Sequence, residues 1–255
     1  MSAQRHTSGV TLIAASAAAY SVADFAHEGL GHGGACLLLG GRLLVVSTTY
    51  ADCTISSRLI DAAGPVAGIA VALLAWLWLR FAPPRAFAAR AFLSCLFAFA
   101  IFWNVGYLVK SGLLDAGDWA SVIRGMQPFV LWHVVLVTAG IASYAAAMRL
   151  LAVVLRIRLA GSGERTPQSF GFGAWAAAVL LSVLAACFDP RGPSTILTDA
   201  LPSSLASAGL AYVGWVMGRR DPALLFAEPG SLPWQIGGAA LAALFVAVLG
   251  PGLRL

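Results

Sequence analysis

Charge is what this chain has least of. Asp, Glu, Lys and Arg make up 11% of its 255 residues, against about a quarter in a soluble domain. Hydrophobic residues reach 60%, and the mean hydropathy is +0.84. This excludes a soluble globular protein and places the chain in a lipid bilayer. The net charge of +5 does not imply nucleic acid, because the basic residues fall between apolar runs, where they orient helices. Cysteine is sparse too. Cys36, Cys53, Cys95 and Cys187 form no Cys-x-x-Cys pair, so they predict neither a zinc knuckle nor a disulfide framework and read as small packing residues. The first apolar run has no convincing small-residue cleavage site, so no signal peptide is expected. Repeats and low-complexity tracts are lacking.

What is present is a series of long apolar runs. The first spans about Gly9 to Leu39 and stops at Gly40-Gly41. Others follow at about Leu59–Phe81, Ala86–Val109, Pro128–Leu151, Phe170–Phe188, Ser203–Met217 and Pro233–Leu249. The segment Arg42–Tyr50 is rich in β-branched residues and reads as a strand, with a hairpin running on to Ser57 as an option, or as an ordinary surface loop. The expected fold class is an all-α integral membrane protein, a polytopic bundle of six to seven transmembrane helices with a short β segment after the first. A polar stretch from Arg156 to Gln168 divides an expected membrane-embedded core (1–155) from C-terminal transmembrane helices (169–255) through a linker (156–168).

The first run carries Asp24, His27, Glu28 and His32 within nine residues. An ionisable group at the centre of a bilayer helix costs about 2.5–3.5 kcal/mol on insertion scales, and such residues mark function. Two histidines beside a glutamate suit zinc hydrolysis: imidazoles bind the metal and the carboxylate is a general base. The histidines are five apart, however. At about 100° per residue they diverge by about 140° on a straight α-helix. A π-bulge would absorb the extra residue, and Gly29 and Gly31 make such a distortion cheap. Glu28 with His32, or Asp24 with Glu28 and His32, would converge without distortion. The bulged two-histidine arrangement is the preferred one.

A catalytic zinc takes three protein ligands and a water. The third must come from another element at the same depth. With seven spans, the start of the fourth run, with His133, and the loop holding Asp115 and Asp118 lie at the end of the bundle where the motif sits. Asp118 and Asp115 are the leading candidates and His133 a weaker one; either aspartate could equally be a solvated loop residue or a helix cap. Asn104, an amide inside an apolar run, needs a partner. Alternate loops put ten Lys/Arg on the N-terminal side and six on the other, which favours an inside N-terminus and puts the motif towards the outside.

The motif HEGLGH followed by GGACLLLGGR, the Gly64-Pro65 helix start with Gly68, and the Asn104 and Leu114–Asp118 stretch resemble the site-2 protease family of intramembrane zinc metalloproteases. The resemblance covers roughly residues 10–150. The family reads His-Glu-x-x-His and Leu-Asp-Gly where this chain has one more residue and Leu114-Asp115-Ala116 or Gly117-Asp118-Trp119. Familiar members hold zinc nearer the cytosol, contrary to the charge count here. The resemblance implies one zinc per chain held by His27, His32 and Asp118, with Glu28 as general base and Asn104 holding the substrate backbone or oxyanion. It implies a membrane-protein or peptide substrate and a multi-pass location in a bacterial-type inner membrane. Two other functions fit the same residues. One is a proton or metal-ion transporter using Asp24, His27, Glu28 and His32 as a relay. The other is a non-catalytic protease-like protein that binds partners.

Overall fold

The computed structural model describes residues 2–221, 224–226 and 230–255. Helix α1 (Ser2–Phe25) runs without a break into a π-helical segment (Ala26–Gly33) and then α2 (Gly34–Leu38). A hairpin follows, β1 (Leu43–Val46) and β2 (Ala51–Cys53). Then come α3 (Arg58–Phe81), α4 (Phe87–Leu114), the short α5 (Asp118–Ile123) and α6 (Phe129–Leu159). The extended segment β3 (Ala160–Arg165) leads to α7 (Pro167–Ala186). A π-turn (Ile196–Ala200), α8 (Leu201–Ala206) and α9 (Gly209–Arg220) form the next span. Helix α10 (Leu232–Leu244) ends in a π-turn (Phe245–Leu249), and β4 (Leu253–Arg254) follows.

Seven of these stretches are long and apolar enough to cross a membrane, as in a multi-pass membrane protein. Their packing fits that solvent. Leu73, Leu74 and Trp78 on α3, Val134 and Ile141 on α6, and Ile236 and Leu244 on α10 point outwards uncovered. In water such faces would be a liability; in lipid they are the expected exterior. Helices α1 and α4 are the most enclosed. Tyr20 of α1 meets Phe99 edge-on and stacks on Trp103, both of α4. One buried core joins Tyr20 and Phe99 to Leu151 and Leu155 of α6, Phe170 of α7, Leu210 of α9 and Phe226. Small residues let backbones approach: a Cβ on Gly140 of α6 would stand 3.0 Å from the Val109 nitrogen of α4.

The strand expected after the first helix is present, as a hairpin. It belongs to a three-stranded antiparallel sheet in the order β2-β1-β4. Val46 pairs with Ala51 on one side and Leu253 on the other, so the C-terminal strand closes the sheet. The polar stretch at 156–168 is only partly a loop. Helix α6 continues to Leu159, because Leu151, Val154, Leu155 and Leu159 all find buried positions. Ala160 and Arg165 then bridge to Phe226. The sixth span starts at Ile196, seven residues before the expected position; Pro202 stands in the first turn of α8, where a missing N–H is tolerated.

One expectation is overturned. Cys36 and Cys53 are joined as a disulfide, with Cα atoms 6.0 Å apart. Their separation of 17 residues carries no signature by itself. The hairpin folding back over the end of α2 brings them together. Cys95 is a free buried thiol, as expected of a packing residue, whereas Cys187 is free and exposed.

Candidate metal centre

The π-helical segment decides the geometry. In a π-helix each N–H bonds the carbonyl five residues back, so residues five apart stack as residues four apart do in an α-helix. His27 and His32 therefore lie on one face, with Nε2 atoms 3.3 Å apart. The segment packs on the start of α3. A Cβ on Gly31 would stand 2.5 Å from the Cα of Gly64, and a Cβ on Gly64 would collide with the His32 ring. The glycines are thus the space in which the second imidazole sits.

Hydrogen bonds fix both imidazole tautomers. His32 Nδ1 lies 2.7 Å from the Ile60 carbonyl, which can only accept, so Nδ1 carries the proton. His27 Nδ1 lies 3.0 Å from Asn104 Oδ1. The Asn104 amide is oriented by its NH2 group, which donates to the Ala100 carbonyl at 2.7 Å. His27 Nδ1 is therefore the donor as well. In neutral imidazoles both Nε2 atoms then present lone pairs to the same point. The His27 ring is held by stacking on Trp103 at 4.7 Å between centroids.

Asp118, the first residue of α5, completes the group. Its Oδ2 is 3.1 Å from His27 Nε2 and its Oδ1 is 3.6 Å from His32 Nε2. Burial pushes its carboxyl pKa up, but His27, His32 and Lys110 outweigh this and hold it below the ordinary aspartate range. Two lone pairs and a carboxylate facing one another require a cation between them, a metal ion or a proton. The spacing suits a metal. Ligand atoms about 2.0–2.1 Å from a tetrahedral zinc lie about 3.3 Å from each other, and the separations here run from 3.1 to 3.6 Å. Among the described residues, His27, His32 and Asp118 are the group able to hold a metal ion.

Glu28 stands beside this triad. Its Oε1 is 3.9 Å from His27 Nε2, the residue is 5% exposed, and Oε2 has no hydrogen-bond partner. Asp24, one turn earlier, is fully buried with neither oxygen partnered. It lies outside the triad. Asp115 and His133 pair with each other instead, at 3.4 Å. Asp115 takes a left-handed conformation (φ 51°) as the cap of α4 and lies outside the group formed by His27, His32 and Asp118. Asn104, expected to face a substrate, has its carboxamide engaged inside the protein by His27 and Ala100. A Cβ on Gly68 would collide with that carboxamide, so α3 also packs against the amide that holds His27. The Ile60 carbonyl and Trp103 carry no sequence signal, since neither a main-chain oxygen nor an aromatic in an apolar run stands out.

Comparison with protein-family models, with curated proteins and with solved structures finds no significant match to this chain.

Proposed function

We propose that the chain is a membrane-embedded zinc metallopeptidase of the site-2 protease type, hydrolysing peptide bonds of membrane-protein segments. The observation that carries this reading is the convergence of two tautomer-fixed Nε2 lone pairs and the Asp118 carboxylate, with the unpartnered Oε2 of Glu28 next to them. Zinc, when bound there, supplies a Lewis acid for the scissile carbonyl and lowers the pKa of a bound water. Glu28 takes the proton from the attacking water as the new C–O bond forms. It then delivers that proton to the departing amine nitrogen as the C–N bond breaks. Asn104 and the Ile60 carbonyl keep both histidines in the metal-binding tautomer. The enclosure of His27, Glu28 and His32, at 1%, 5% and 9% exposure, keeps bulk water out.

The test is paired. Elemental analysis of the detergent-purified wild type should give about one zinc per chain, lost in H32A. The E28Q variant should keep the zinc and lose cleavage of a membrane-protein substrate by about 10²–10⁴-fold or more. Full cleavage by E28Q would overturn the mechanism; absence of bound metal after zinc is offered would overturn the metallosite.

Asp24 favours a second reading. A buried unpartnered carboxylate one turn below Glu28 extends the ionisable line inwards, as a proton or metal-ion relay would. That reading expects ion flux into proteoliposomes, diminished in D24N, with no peptide cleavage.

A further inference from the structure

We infer that the metal triad opens on the oxidising, non-cytoplasmic face of the membrane, and that its substrates, on the peptidase reading above, are membrane-protein segments presented from that face.

Two independent observations carry this. The first is the Cys36–Cys53 disulfide. Cys36 follows His32 by four residues in one continuous helix, about 6 Å further along the axis. The triad and the disulfide therefore share one end of the bundle. Disulfides form and persist where the medium is oxidising, and cytosolic thiols are kept reduced. The second is the distribution of basic residues, now attached to observed elements. Arg80 and Arg85 flank the turn between α3 and α4, and Arg156, Arg158 and Arg165 flank the end of α6. All are at the end opposite the triad. The Lys/Arg excess of ten to six marks that end as cytoplasmic.

The fold keeps the two ends consistent. At the triad end, β4 after the last span pairs with β1 after the first, so the number of crossings between them is even. At the other end, β3 after the fourth span bridges to Phe226 after the sixth. Two of the triad-end arginines are also engaged locally: Arg191 with Asp189 and Asp199, and Arg58 with the Arg124 carbonyl. From His32 to the end of α2 at Leu38 is about 9 Å of helix, against about 27 Å from Gly9 to His27. The site is therefore reached from the disulfide end.

Cys187 provides a built-in reporter. It is a free, exposed thiol just after α7, at the triad end. The experiment uses a membrane-impermeant maleimide on sealed right-side-out and inside-out vesicles from cells expressing the full chain. Two reporters are added in a C187S background: S194C, at an exposed position of the triad-end loop, and A82C, at an exposed position of the opposite turn. Cys187 and S194C should label in right-side-out vesicles and A82C in inside-out ones. Cys53, half-buried where Cys36 is fully buried, should label in right-side-out vesicles only after reduction. The reverse pattern, or labelling of Cys53 without reduction, would overturn the inference. The labelling does not depend on cleavage, so it separates a wrong orientation from a wrong assignment of activity.

Discussion

At the scale of single residues, the candidate centre depends on side chains outside the triad. Asn104 fixes the tautomer of His27 and is itself fixed by the Ala100 carbonyl. Outer-shell partners of this kind are worth about 10–100-fold in metal affinity. N104A should therefore weaken zinc binding by about that factor in a chelator competition while His27 stays stacked on Trp103. D118N removes the one anionic ligand and should lose metal as fully as H32A does. The four polar residues of the first run were legible because ionisable groups are costly in lipid. The resemblance already favoured Asp118 over Asp115, but the backbone that separates them, the left-handed cap at Asp115 and the turn at Gly117 (φ 91°), is not written in composition. Asn104 stood out as a buried amide, but its partner was hidden, since His27 lies 77 positions away.

At the scale of elements, the determining contact is α3 against the π-helical segment. A Cβ at Gly64 occupies the space of the His32 ring, so G64A should displace that ring and abolish zinc binding. Overpacking should cost about 1–3 kcal/mol of stability, read from thermal unfolding in detergent. Gly237 on α10, where a Cβ meets nothing within 4 Å, is the control: G237A should keep both metal and melting temperature. Here the sequence was informative in an indirect way. The Gly64/Gly68 spacing pointed to close helix approach, and the five-residue histidine spacing with intervening glycines pointed to a bulge. The extension of α6 and the sheet pairing of β4 were not legible. Helix ends depend on whether the next residues find buried positions, and a two-residue strand has no periodicity of its own.

At the scale of the whole molecule, the triad end is braced by long-range links. Beyond the disulfide, Thr49 of the hairpin turn donates to Asp189 at 2.5 Å, and Arg191 bonds Asp189 and lies over the Tyr50 ring. Burial raises the Asp189 pKa, but the hydrogen bonds from Arg191 and Thr49 outweigh it and hold the carboxyl below the ordinary aspartate range. Because the folded value lies below the unfolded one, the stabilisation is fully present above about pH 4 and fades as pH falls through the folded value. D189N should therefore be less stable than wild type at neutral pH, with the gap closing in acid, as followed by thermal unfolding across a pH series. Replacing both Cys36 and Cys53 by serine opens a 17-residue separation and should cost about 3 kcal/mol. Neither link could be read from the chain: Thr49 and Asp189 are 140 positions apart, and the disulfide depends on the hairpin folding back over α2, which its 17-residue separation does not announce.

The π-helical segment bears on how such sites are found at all. A search pattern written as His-Glu-x-x-His silently specifies an α-helical backbone, since it converts an angular requirement into a letter count. In this chain the same angular requirement is met with one letter more, because the turn is one residue wider. An extra residue between two candidate ligands thus leaves their convergence intact when the helix type changes with it. Patterns that couple spacing to backbone period, with glycine as the indicator of the wider turn, would retrieve centres that a fixed count passes over.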